Sequence, residues 1–113
     1  MLARVVKCQS KSGRIDQLGD KLSNDVLPML QMQPGFVDFL ALSDKTDPTK
    51  LLCISFWTSG EDAEGYHRRH YYAIADALKA VVESPPTLET FVVSVSTVAS
   101  HCDRQSCLSI QPR

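Results

Sequence analysis

The sequence predicts an α+β fold: an antiparallel sheet of four strands with two helices on one face, in the order βαββαβ. Three observations predict it. Branched and aromatic residues concentrate in four runs, 2–9, 36–43, 51–58 and 87–99. Between the first and second runs, and between the third and fourth, apolar residues recur at spacings of three and four, the period of a helix. Polar turns or Pro and Gly residues separate the runs. This is the ferredoxin-like, split βαβ plan. A length of 113 residues is enough for one domain and one modest core.

The elements follow in order. Residues 2–9 (LARVVKCQ) read as a strand, and 10–13 as a polar turn. Ile15, Leu18, Leu22, Val26 and Met29 lie within about 80° of one another on a helical wheel, which makes 15–32 an amphipathic helix. Pro28 falls late in that helix and is expected to kink it. Gln33-Pro34-Gly35 stops it, and 36–43 (FVDFLALS) is the second strand. The stretch 44–50 (DKTDPTK) makes a hairpin turn before the third strand, 51–58. A second helix starts at Ser59 or Gly60, with Glu61, Asp62 and Glu64 in its first turns, where acidic groups suit the helix dipole. It is expected to run to about Glu83, because Pro85-Pro86 cannot continue it. A long fourth strand is expected over 87–99, closing a domain at 1–99. The remainder, 100–113, reads as a polar C-terminal tail.

Both faces of the strands carry apolar residues. In the third strand Leu51, Cys53, Ser55 and Trp57 alternate with Leu52, Ile54 and Phe56. In the second, Phe36, Leu40 and Leu42 alternate with Val37, Phe39 and Ala41. A sheet with one wet face should alternate between apolar and polar. Two helices cover one face only, so the other is expected to meet a second copy of the chain, giving a homodimer with sheets face to face.

Composition narrows the function classes. Twelve Lys and Arg against 13 Asp and Glu leave a net charge of −1, with no basic stripe, so a nucleic-acid partner is not expected. No apolar run approaches the roughly 20 residues of a membrane span, so no membrane is expected either. The N-terminus lacks the shape of a signal peptide, and the chain reads as soluble and cytoplasmic. Cys8 and Cys53 fall inside predicted strands and read as small buried apolar residues. His101, Cys102 and Cys107 lie in the tail without a zinc spacing. There is no glycine-rich phosphate loop and no dinucleotide fingerprint, so no cofactor is expected.

The second helix carries the candidate chemistry. With Ile74 at the centre of its apolar stripe, Ala63, His67, His70, Ala77, Leu78 and Val81 lie within about 60°. Two histidines therefore share the face expected to meet the sheet. Tyr71 is at its edge and Tyr66 flanks the other side. One reading makes them packed or water-facing residues. The other makes a small-molecule cavity between helix and sheet. There His67 or His70 accepts or donates a proton, and Trp57, Tyr66 and Tyr71 form aromatic walls for the substrate. The pair offers only two metal ligands, so no metal site is expected.

The stretches Val26-Leu27-Pro28-Met29-Leu30, Gln33-Pro34-Gly35-Phe36-Val37 and Ser55-Phe56-Trp57-Thr58-Ser59, then Glu61-Asp62-Ala63 and Tyr66, resemble the antibiotic biosynthesis monooxygenase (ABM) domain over about residues 1–99. The resemblance implies a dimeric α+β barrel with a pocket between sheet and helices in each subunit. Members include oxygenases of quinol-like or polyketide aromatics that use neither metal nor flavin, haem-degrading enzymes and proteins of unknown role. Trp57 matches a tryptophan that the polyketide-type oxygenases use in the pocket. Their asparagine in that strand falls at Cys53. The haem-degrading set falls at Lys7, Tyr66 and Asp76, and so is absent.

Two readings of function stand on these residues. The first is a cofactor-independent monooxygenase of a small electron-rich aromatic, with His67 or His70 taking a phenolic proton. The second is a non-catalytic ligand-binding or dimerisation module. A haem-binding protein with a histidine as axial ligand is a third.

Overall fold

Strand β1, Leu2–Gln9, holds the centre of the sheet with β3, Lys50–Trp57. The edges are β2, Phe36–Ser43, beside β3, and β4, Thr87–Val92, beside β1, giving the order β2-β3-β1-β4 with every neighbouring pair antiparallel. The computed structural model describes residues 1–95. The polar tail and the far end of the predicted fourth strand lie outside the described residues. Within them β4 runs to Val92, which pairs with Leu2 at the start of β1, and the Val93 N–H still donates to the Met1 carbonyl at 3.1 Å.

Each helix is continuous but carries one wide turn. The first runs through α-helical Ile15–Lys21, a π-type turn at Leu22–Val26 and α-helical Leu27–Gln31. Pro28 follows that turn. It has no N–H to donate and its ring crowds the preceding turn, so the expected disturbance takes the form of a wide turn, in which the Leu27 N–H reaches back to the Leu22 carbonyl. The second helix runs through Gly60–Tyr66, a π-type turn at His67–Tyr71 and Tyr72–Leu78. Its start is capped: the Ser59 side chain accepts from the Asp62 N–H at 3.2 Å. It ends at Leu78, not near Glu83. The backbone beyond is claimed by the end of β1: Val82 bridges Ser10, the Lys11 N–H donates to the Val81 carbonyl, and the Glu83 N–H donates to that of Gln9.

Gly35 makes the entry to β2. Its φ is +78°, a conformation that suits glycine, and a side chain there would collide with Asp62. The Thr58 N–H donates to its carbonyl at 2.8 Å, tying the end of β3 to the start of β2.

The core lies between the sheet and the helices. Leu18, Leu22, Val26 and Leu30 from the first helix, and Ala63, Ile74 and Leu78 from the second, meet Cys53 and Trp57 of β3. A bulge between Phe36 and Asp38 corrects the predicted faces of β2. Phe36 and Phe39 both pack on the core, while Leu40 and Leu42 turn to the opposite face, where they are largely exposed. That face is apolar beyond β2: Leu42 pairs with Leu52, Leu40 with Ile54, and Ala3 with both Phe56 and Phe91.

Candidate functional site

A cavity opens between the two helices and the inner face of the sheet. Apolar side chains form most of it: Val6 of β1, Leu22, Val26 and Leu30 of the first helix, Ile74 and Leu78 of the second. Pro86, just before β4, and Leu88, within it, line it as well. Arg4, Ser55, Tyr66 and Tyr71 supply the polar groups. The space is narrow, about 60 Å³. A dry engineered cavity that holds benzene is roughly 150 Å³, so a ring enters here only as lining side chains move.

Arg4 is the unexpected member. On β1 it sits between Leu2 and Val6 on the inward face, opposite Ser55, and is only 7% exposed. Its Nη2 donates to Nδ1 of His67 at 2.9 Å, and among the described residues its Nε has no partner. Among the described residues no ion pair reaches it; the Lys7–Glu89 pair lies on the other face. A guanidinium has donors and no acceptor, so Nδ1 of His67 is a lone pair in use and that imidazole is neutral, with its proton on Nε2. The sequence carried a signal for Arg4: a charge at the second position of an inward-facing Leu2, Arg4, Val6, Cys8 alternation. Ser55 carried none beyond its place in β3.

The structure separates the predicted site residues. Tyr66 and Tyr71 line the cavity. Trp57 does not; it is fully buried, with Nε1 donating to Ser55 Oγ at 2.9 Å. Its ring lies 5.2 Å from that of Tyr66 and edge-on to Phe36 at 5.7 Å, so it backs the tyrosine wall. Neither histidine lines the cavity. His67 stacks on Tyr71 at 4.5 Å and reaches the site through Arg4, whereas His70 lies beside Tyr66 at 6.2 Å. The π-type turn explains the difference. An i→i+5 turn takes in one residue more than an α-turn, which rotates the residues after it by roughly 100° relative to a uniform wheel. Relative to Ile74 this shifts His67 off the cavity; Tyr71 and Ala75 line it, and Ala77, expected inside, is exposed.

Burial sets the electrostatics. Desolvation pushes the Tyr66 hydroxyl up to about 12, with Tyr71 adding and Arg4 opposing. Tyr71 is raised for the same first reason, again against Arg4. Both phenols thus stay protonated at neutral pH and offer O–H donors. Ser55 Oγ accepts from Trp57, which leaves its own proton free to point at the cavity. Cys8 and Cys53 also line the space as a hydrogen-bonded thiol pair that lowers Cys8 and, with burial, raises Cys53. Among the described residues no group of three or more His, Cys, Asp or Glu side chains could hold a metal ion, and no helix is long and apolar enough to cross a membrane.

Comparison with known proteins places this architecture. None of the curated proteins matches the chain. Among solved structures it is similar to a protein of unknown function from Nitrosomonas europaea, at 21% identity, TM-score 0.73, and 86% and 92% coverage of the two chains. It is also similar to a mutant form of SnoaB, a cofactor-independent oxygenase from Streptomyces nogalater, at 17% identity, TM-score 0.74, and 84% and 94% coverage. A conserved protein from Methanosarcina mazei aligns at 17% identity, TM-score 0.69, and 80% and 91% coverage. At these identities the likeness is one of fold. The sequence carries the further step: residues 1–85 match the family model for antibiotic biosynthesis monooxygenase, and with the split βαβ sheet and its helix-covered cavity, the chain belongs to that family.

Proposed function

We propose that the protein is a cofactor-independent monooxygenase of a small electron-rich phenolic aromatic, bound in the cavity between helices and sheet. The observation that carries this reading is the cavity itself: apolar walls for a ring, closed at one part by hydrogen-bond donors of Arg4, Ser55, Tyr66 and Tyr71. Removing the phenolic proton makes the ring electron-rich enough to reduce O₂ directly. One oxygen atom ends on a ring carbon as a carbonyl, and the other leaves as water with the two hydrogens lost from O–H and C–H. His67 is the base of this proposal. Its Nδ1 becomes free when the Arg4 guanidinium turns to the ligand oxygen, and it then accepts the phenolic proton. His70, outside the lining, has no such route.

The narrow space favours a second reading, a non-catalytic module for a small ligand. Oxygen uptake by the metal-stripped protein over quinols, anthrones and catechols separates the two. Uptake with no added cofactor, reduced roughly 10²–10⁴-fold in His67→Ala and less than about threefold in His70→Ala, is the expected result. Uptake that is equal in wild type and His67→Ala overturns the assignment of the base, and silence over the whole panel favours the binding module.

The assembly in this proposal is a homodimer. The sheet face away from the helices carries Leu40, Leu42, Leu52, Ile54 and Phe91, and a second copy of that face is its simplest cover.

A further inference from the structure

We infer that Arg4 is an anion-recognition residue, and that the cavity takes an apolar ligand through an anionic oxygen. The inference rests on reading the cavity as a ligand site, and it stands whether or not oxygenation follows.

The argument begins with cost. A charged side chain is almost never fully buried without an opposite charge. Arg4 is 7% exposed, no carboxylate pairs with it among the described residues, and its Nε–H is unsatisfied. Its hydrogen-bond partner is the neutral nitrogen of His67. Among the described residues nothing compensates this cation, and it lines a cavity.

The rest of the lining has the matching polarity. The titratable groups that face the cavity are Arg4, Tyr66, Tyr71, Cys8 and Cys53, with His67 behind Arg4. None is a carboxylate. Arg4, Ser55, Tyr66 and Tyr71 all present hydrogens and leave the role of acceptor to the ligand. A ligand oxygen bearing negative charge satisfies the orphan Nε–H and neutralises the guanidinium. A neutral ligand leaves that charge bare. Val6, Leu22, Val26 and Leu30 require the rest of the ligand to be apolar. The anionic oxygen has two possible sources: a carboxylate already ionised on arrival, or a ring hydroxyl that ionises in the site.

The test is spectrophotometric titration of 4-nitrophenol, whose anion is coloured, with the full-length protein and with Arg4→Met. An opposite charge this close lowers an acid's pKa by about 1–3 units. We expect the bound nitrophenol to ionise at least about one unit lower than free in wild type and to lose that shift in Arg4→Met. Benzoate, with benzamide as its neutral counterpart, distinguishes the sources. If benzoate displaces nitrophenol and benzamide does not, the site takes a preformed carboxylate. If neither competes while the shift persists, the ring oxygen is the anion. Arg4→Met is expected to melt at or above the wild-type temperature, because it removes an uncompensated buried charge for an apolar chain of similar length. An unshifted nitrophenol, or a shift that survives in a folded Arg4→Met, overturns the inference. So does a melting temperature well below wild type with benzoate and benzamide bound equally by wild type, which makes Arg4 structural. A silent oxygen-uptake panel leaves this inference untouched and counts only against the oxygenase.

Discussion

Arg4 faces inward between Leu2 and Val6, where His67 lends it a lone pair, and beside it burial keeps two tyrosines protonated against the pull of its charge. The tyrosines make a pH prediction. Tyr66 titrates near 12 in the fold and near 10 unfolded, so the native state holds an extra proton between those values. The stabilisation is full below pH 10 and is lost as pH rises through about 12, with an expected loss on the order of 2 kcal/mol. Chemical denaturation at pH 9 and pH 11.5 should show this fall, and Tyr66→Phe should flatten it. Ser55 is a small residue on which a large one depends. Trp57 is fully buried and Ser55 Oγ is its hydrogen-bond acceptor, so Ser55→Ala should cost about 1–3 kcal/mol by orphaning the indole N–H. For a domain of this size that is a drop of roughly 4–8 °C in melting temperature per kcal/mol, readable by calorimetry.

At the scale of elements, the two π-type turns matter most. One sits before Pro28 and one at His67–Tyr71, and both border the cavity: Leu22 and Val26 belong to the first, Tyr71 to the second. Deleting the exposed Arg68 should convert the second into ordinary α-helix. Helix content by circular dichroism should hold, while Tyr71 and Ala75 rotate away and nitrophenol binding falls at least about tenfold, since a π-turn is the feature that sets their phase. Binding at the wild-type level would mean that the turn does not set the cavity wall. The start of this helix is a separate local device. Ser59→Ala removes the cap on Asp62 N–H and should cost about 1 kcal/mol in denaturant titrations, with the cavity unchanged. The helix periods were legible in the sequence, and so was the disturbance at Pro28. The second wide turn was not, because 67–71 contains neither Pro nor Gly and a uniform wheel fits it equally well. Its phase is set by packing against the sheet, which no spacing of residues records.

For the whole molecule, the proposed homodimer turns on cover of the second sheet face. The sheet face away from the helices carries apolar residues from all four strands, with the Lys7–Glu89 pair on its β1–β4 side, and the bulge at the start of β2 adds Leu40 and Leu42 to it while returning Phe36 to the core. The proposed homodimer predicts that Leu42→Lys, or Ile54→Lys at the sheet's centre, gives a protein half the wild-type mass by light scattering with its helix content kept. Two charges facing each other across a two-fold interface are not tolerated dry. A monomeric wild type would end this reading.

Residue pattern was enough for the element order, the sheet plan and the family, because apolar periods of two and three-to-four are local records of which residues share a face. Tyr66 and Tyr71, which that pattern set beside the helix stripe, do line the cavity. Packing in three dimensions was needed to put the histidines outside the cavity, Trp57 behind a wall, and Arg4 within. A side chain's role at a site depends on its rotation and its partner. Both are fixed only when β1 is laid beside β3 under a helix whose wide turn shifts its phase.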